Sequence, residues 1–210
     1  MSKLTLAQLN DWAVKFRDVI NENREYLTAL DAEIGDADHG SNMARGTTAA
    51  AEKLLADPPA TVSAFGKTVG MTLVSTVGGA SGPLFGTLFL RFGTTAGDVT
   101  ELDGAALLAA LEAGVNGVQA RGKAEPGDKT MVDVLVPALA ELKTQLDGGA
   151  DLKTALQQTA VASATAKDAT KPLVAKKGRA SYLGERSAGH IDPGSASTAI
   201  LFETLAAAVA

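Results

Sequence analysis

Apolar residues recur every three or four positions from the start of the chain. Leu6, Leu9, Ala13, Phe16, Val19 and Ile20 make one stripe of a helix, and Thr5 with Gln8 three residues later supplies its capping box. After the polar run Asn21 to Glu25, a second stripe of Tyr26, Leu27, Leu30 and Ile34 follows, which Gly35 can end in a left-handed conformation. That places Asp31 in a last helical turn. Ser41 or Asn42 can cap a third helix, which runs to about Ala56 before Pro58 and Pro59 stop it, and Thr61 or Ser63 starts another. Further helices are predicted near 63 to 77, 83 to 92, 104 to 120, 130 to 146, 151 to 168 and 195 to 209, and the Ala-rich ending Leu205 to Ala210 reads as a last helical turn. No run alternates as a strand does. About eight helices joined by short loops run antiparallel, so the expected fold is all-α, a barrel or bundle of about eight up-and-down helices.

Composition narrows this further. A chain of 210 residues fits one domain, 1–210, and 46% hydrophobic with 4% aromatic residues favours helices packed through small side chains over a β-sandwich. The net charge of -5 argues against nucleic acid as the main partner, so an anionic ligand here calls for a cation. With no cysteine, disulfides, thiolate zinc sites and cysteine nucleophiles are excluded, and the reducing cytosol is the simplest home, giving a cytoplasmic expectation. The first residues lack the apolar core of a signal peptide. Thr68 to Leu90 carries no charge over a length that can span a bilayer, but its hydroxyls and the G-G-A-S-G-P break at Gly78 to Pro83 fit two short buried helices and no membrane.

The chemistry concentrates in four blocks. Asp31, Asp36 and Asp38 straddle a helix end and a glycine turn, so their carboxylates can converge, and three clustered carboxylates call for a cation or for protonation. Oxygen ligands suggest magnesium, manganese or calcium. An EF-hand does not fit, because the positions for its third ligand and terminal glutamate fall on Gly40 and Thr47. The competing reading is that the aspartates only cap a helix and solvate a turn. Gly40 and the start of the next helix weigh against it, since they offer close backbone approach and free N–H groups to an anion. The glycine turn from Ser75 to Gly86 is neither a Walker nor a Rossmann motif, and the four-residue spacing of Gly66 and Gly70, and of Gly78, Gly82 and Gly86, also suits close helix packing. Ala120 to Met131 and Lys176 to Gly194 read as long polar loops. The second is long enough to be a lid whose Arg179 or Lys177 neutralises a phosphate. His39 and His190 are the only histidines, and no nucleophilic triad is supported by spacing, so no protein residue is assigned a catalytic role.

Taken together, D-A-E-I-G-D-A-D-H-G-S-N-M-A-R-G, G-M-T-L-V-S-T-V-G-G-A-S-G-P-L-F-G, R-G-K-A-E-P-G-D-K-T-M and K-G-R-A-S-Y-L-G-E-R-S-A-G-H-I-D-P-G resemble, in order, the nucleotide-binding L subunit of dihydroxyacetone kinase, in the form that works with the phosphotransferase system. The resemblance implies an eight-helix antiparallel barrel with ADP or ATP at one rim and two Mg2+ ions held by Asp31, Asp36 and Asp38. It implies that His39, Gly40, Ser41 and Asn42 meet the phosphates, with Ala80 and Ser81 approaching from the second block. Gly122 and Met131 would line the nucleotide site, and Arg179 with Asp192, Pro193 and Gly194 would close it. The implied activity is a phosphoryl relay from a phosphohistidine donor subunit, through the bound nucleotide, to dihydroxyacetone on a K subunit. The alternatives are an ATP-dependent L subunit with exchanging ATP, and an ADP-loaded binding module whose partner is a transcription regulator.

Overall fold

The structure is a computed structural model that describes residues 3–209. Among these residues it contains nine α-helices, α1 (Leu6–Glu22), α2 (Arg24–Ile34), α3 (His39–Ala56), α4 (Val62–Thr76), α5 (Ser81–Ala96), α6 (Gly104–Gly122), α7 (Val132–Asp147), α8 (Leu152–Ala169) and α9 (Pro193–Ala208), with a 3-10 helix at Arg179–Ser187. The expected all-α class and antiparallel barrel hold. Eight helices form the ring: α1 packs on α3, each of α3 to α8 packs on its successor, and α9 returns to α1. The ninth, α2, lies against α3 and α9. Ala210, expected in the last turn, lies outside the described residues.

The core explains why the chain closes this way. Trp12 of α1 is 1% exposed and stands among Phe65, Phe89 and Phe92, with ring centroids 6.4, 5.3 and 6.2 Å away. Its indole N–H donates to the Leu201 carbonyl of α9 at 2.9 Å, which satisfies the one polar atom that this burial would otherwise strand. The helices that carry those phenylalanine rings, α4 and α5, approach each other through glycine. A Cβ on Gly66 would stand 2.6 Å from the Gly93 Cα, and one on Gly86 would stand 2.8 Å from the Gly70 carbonyl. The close-packing reading of these glycines is therefore the structural one.

The departures from expectation are local. A two-residue antiparallel pairing joins β1 (Leu4–Thr5) to β2 (Glu101–Leu102), too short to leave an alternation in the sequence. Gly35 does close α2, but at φ -143° rather than in the left-handed region, and the left-handed residue is Ala37 at φ 60°. Helix α3 begins at His39, not behind Ser41 or Asn42, because a carboxylate from α2 takes over the capping. No helix among the described residues is long and apolar enough to cross a membrane.

Helix starts differ by rim. Helices α4, α6 and α8 open with Thr61, Asp103 and Asp151, each accepting a hydrogen bond from the third residue of its helix. Helices α3, α5 and α7 open on Asp38, Ala80 and Met131, whose own side chains do not cap them, and Asp31 and Thr130 instead accept from the first N–H groups of α3 and α7. In an antiparallel ring, alternate helices start at the same rim, so these three starts gather at one end with that of α9, which Asp192 caps.

Candidate functional site

At that end lies a cavity of about 390 Å³. Its acidic wall is built by α2 and the turn after it. Asp31 is 8% exposed, and its Oδ2 accepts from the backbone N–H groups of Asp38 at 2.9 Å and His39 at 3.1 Å. This double acceptance replaces an N-cap on α3 and fixes the carboxylate. Gly35 is required beside it, since a Cβ there would stand 2.0 Å from Asp31 Oδ1. Asp36 and Asp38 follow on the turn that the left-handed Ala37 makes possible. One carboxylate oxygen from each of Asp31, Asp36 and Asp38 falls within 4.8 Å of the others.

This donor set fits a hard divalent cation. Two full charges at that separation repel by roughly 3 to 4 kcal/mol at an effective dielectric near 20. Oxygen-only ligands, two of them solvent-facing, suit an ion such as Mg2+ that keeps part of its water. Arg179 reaches across from the 3-10 helix to Asp36 Oδ2 at 3.0 Å and offsets part of the charge.

His39 is buried beneath this wall. Its Nε2 lies 3.0 Å from Ser197 Oγ and its Nδ1 lies 3.1 Å from Ser81 Oγ. Ser197 spends its hydroxyl proton on the α9 carbonyls of Pro193 and Gly194, so it accepts from His39 Nε2–H, leaving Nδ1 to accept from Ser81. Burial lowers the His39 pKa below the usual range, with the nearby Asp31 charge opposing, which favours this neutral tautomer. The imidazole thus ties the starts of α3, α5 and α9 together.

The remaining walls are less polar. Leu84, Phe85, Val118, Ala124, Met131 and Val132 make the apolar part of the lining. Gly122 keeps that part open against Leu84, which a Cβ would meet at 3.2 Å. Asp192, Pro193 and Gly194 form the start of α9, where Asp192 caps the helix by accepting from the Ser195 N–H at 2.6 Å. Burial pushes the Asp192 pKa up to about 6.

Thirteen of the fifteen residues singled out from sequence border this cavity. The exceptions are Gly40 and Ser41. Gly40 is small for another reason, because a Cβ there would meet the Arg24 carbonyl of α2 at 2.0 Å. Ser41 faces Arg24, which donates to its Oγ at 3.3 Å. Sequence reading missed Arg121, Lys129 and Thr130 in the lining. Thr130 and Lys129 stand beside Met131, and their presence in the same block was the available signal.

Fold and site together define a class: a closed helical barrel that gathers helix starts and a carboxylate cluster around one rim cavity, suited to a cation-bridged anionic ligand. Residues 33–207 match the DAK2 domain family. The chain is 47% identical over 207 residues to the PTS-dependent dihydroxyacetone kinase, ADP-binding subunit DhaL, of Lactococcus lactis subsp. lactis (strain IL1403), covering 99% of this chain and 100% of that one. It is 44% identical over 205 residues to the PEP-dependent counterpart of Escherichia coli (strain K12), covering 98% of each. The dihydroxyacetone kinase from C. freundii, solved in complex with AMP-PNP and Mg2+, superposes with a TM-score of 0.68 at 28% identity over 97% of this chain. This chain spans 33% of that one. The chain belongs to the DAK2 domain family, among the L subunits of phosphotransferase-system-dependent dihydroxyacetone kinases.

Proposed function

We propose that this chain is the ADP-binding subunit of a cytoplasmic phosphoenolpyruvate-dependent dihydroxyacetone kinase. In this reading the nucleotide stays bound, accepts a phosphoryl group from a phosphohistidine donor subunit and passes it to dihydroxyacetone held by a K subunit. The observation that carries it is the meeting of the Asp31, Asp36 and Asp38 carboxylates with the uncapped start of α5 on one cavity. Helix starts carry partial positive charge and unpaired N–H groups, which suit phosphate oxygens, whereas carboxylates repel them unless a cation intervenes.

Asp31, Asp36 and Asp38 would hold two Mg2+ ions, which when bound neutralise phosphate charge. Asn42, Ala80 and Ser81 would face the phosphates, with His39 orienting the Ser81 hydroxyl. Gly122, Leu84 and Met131 would flank the base in the apolar part of the cavity, and Asp192, Pro193 and Gly194 would shape the wall beside Met131. Arg179 would shift from Asp36 toward phosphate as the segment around its 3-10 helix settles over the ligand. Phosphoryl transfer needs positioning and charge neutralisation more than a protein nucleophile, and the residues present supply those two things.

Mass spectrometry of gently purified protein tests retention, with copurified ADP as the expected result. Labelled ATP with a K subunit tests the relay. Rapid multiple turnover without a phosphohistidine donor would overturn the retained-cofactor reading in favour of exchanging ATP. Asp36→Ala is expected to abolish ADP retention and phosphotransfer together.

A further inference from the structure

Lys129 is 1% exposed, yet no carboxylate pairs with it within salt-bridge reach among the described residues. Its ammonium instead donates to three carbonyl oxygens, those of Lys171 at 3.3 Å, Leu173 at 2.9 Å and Ser187 at 2.6 Å. These lie near the two ends of one strap, residues 171–189, which carries Arg179 over the acidic cluster. The strap is also held by the Ala175 N–H, which donates to Ser187 Oγ at 2.8 Å within it, and by the Arg179–Asp36 pair. Its apolar contribution is a satellite cluster of Ala175 and Ala180 with Ile34, against which Leu183 packs, separate from the main core. The Lys171 carbonyl also accepts from the Gly189 N–H at 2.7 Å, and the Lys176 N–H donates to the Asp128 carbonyl at 3.0 Å, so the strap closes on the residue next to Lys129.

Burying an ammonium is costly, and Lys129 adds a backbone cost by standing at φ 63°, where glycine is preferred. A side chain kept there against both costs has a use that the barrel does not need. Its neighbours Thr130 and Met131 line the cavity.

We propose that Lys129 is a positioning residue that latches the 171–189 strap to the Asp128–Met131 loop and thereby sets how slowly bound nucleotide leaves. This rests on the reading of the cavity as a nucleotide site. With the three carbonyls bridged, the strap and the loop move as one body, and Arg179 stays over the phosphates. Without the bridge, the strap opens about its glycines, of which Gly178, Gly184 and Gly189 have positive φ.

The test is Lys129→Met, which keeps side-chain length and removes the donors, and Lys129→Gly, which removes them while relieving the backbone. In the full chain, Mg2+-ADP dissociation is expected to speed by about tenfold or more in both, with association little changed. Lys129→Gln, which retains a shorter donor, is expected to fall between. Hydrogen exchange on the ligand-free proteins is expected to rise over 171–189 and not in α4 or α5. Unchanged dissociation with unchanged strap exchange would overturn the latch, and so would exchange that rises equally through α4 and α5. If wild-type protein takes up no Mg2+-ADP, the nucleotide reading fails, whereas strap exchange still decides whether Lys129 latches it.

Discussion

Replacing Gly35 with Ala tests how the acidic cluster is held. The φ of -143° is not left-handed, but ψ -136° lies outside the β region, so some backbone strain adds to the effect. The obstacle is the Asp31 carboxylate, because the new Cβ would lie 2.0 Å from Oδ1 and 2.9 Å from Cγ. Asp31 must therefore swing away and give up the hydrogen bonds it accepts from Asp38 and His39 at 2.9 and 3.1 Å. Hydrogen bonds to a charged group contribute about 1.5 to 3 kcal/mol each, and partial resolvation at the rim brings the expected loss to about 2 to 4 kcal/mol. Urea unfolding without Mg2+ measures it. The same displacement removes one of three carboxylates from the cation site, so the Mg2+ concentration that supports ADP binding, followed by calorimetry, is expected to rise by about tenfold or more. Gly149→Ala is the control: φ is 81° with nothing within 4 Å, so it should cost about 1 to 2 kcal/mol of backbone strain and leave Mg2+ dependence alone. Gly35→Ala protein of wild-type stability and wild-type Mg2+ dependence would refute the reasoning.

Arg179→Ala separates binding from folding. Its pair with Asp36 is exposed on the Arg179 side, so unfolding free energy is expected to move by less than about 1 kcal/mol while ADP dissociates faster in stopped-flow measurements. Asp192→Asn isolates a pH effect. The Asp192 pKa is raised to about 6 from 3.8, so the folded protein binds that proton more tightly than the unfolded chain. Its contribution to stability is full below pH 4 and declines as pH rises toward 6. Denaturation at pH 4 and pH 7 should therefore show wild type losing ground to Asp192→Asn by up to about 3 kcal/mol, and a constant difference would contradict the assignment.

Much of this architecture was legible because its signals are short-range. Thr5 with Gln8, Thr61, Asp103 and Asp151 each mark a helix start through contacts three residues away, and Pro193 follows the Asp192 cap. What escaped depends on contacts between distant segments. The start of α3 was misjudged because its cap is the Asp31 side chain, seven and eight residues upstream. Gly40 read as a place for phosphate, yet its neighbour is the Arg24 carbonyl, sixteen positions back. The 3-10 helix at Arg179–Ser187 is hidden by glycines that look like loop, and Lys129 reads as one more solvated charge until the carbonyls 42, 44 and 58 residues away are placed around it.

Helix capping is uneven between the two rims. A Ser, Thr or Asp at a helix start typically stabilises it by about 1 kcal/mol relative to Ala, by satisfying an N–H group. Thr61, Asp103 and Asp151 make that contribution at the starts of α4, α6 and α8. Ala80 forgoes it at α5, whereas Asp31 and Thr130 supply oxygens to the starts of α3 and α7 from outside the cap position. A capping oxygen at the α5 start would stand where an anion must, and would repel it. The amides left open at Ser81 and beyond are therefore a small standing cost of the ligand-free rim, of the same sign as the repulsion among Asp31, Asp36 and Asp38. A cation relieves the repulsion, an anion satisfies the amides, and the two bound charges attract each other across the cavity. Mg2+ and nucleotide should consequently bind with mutual reinforcement: each ion's charge is what the other's half of the wall lacks.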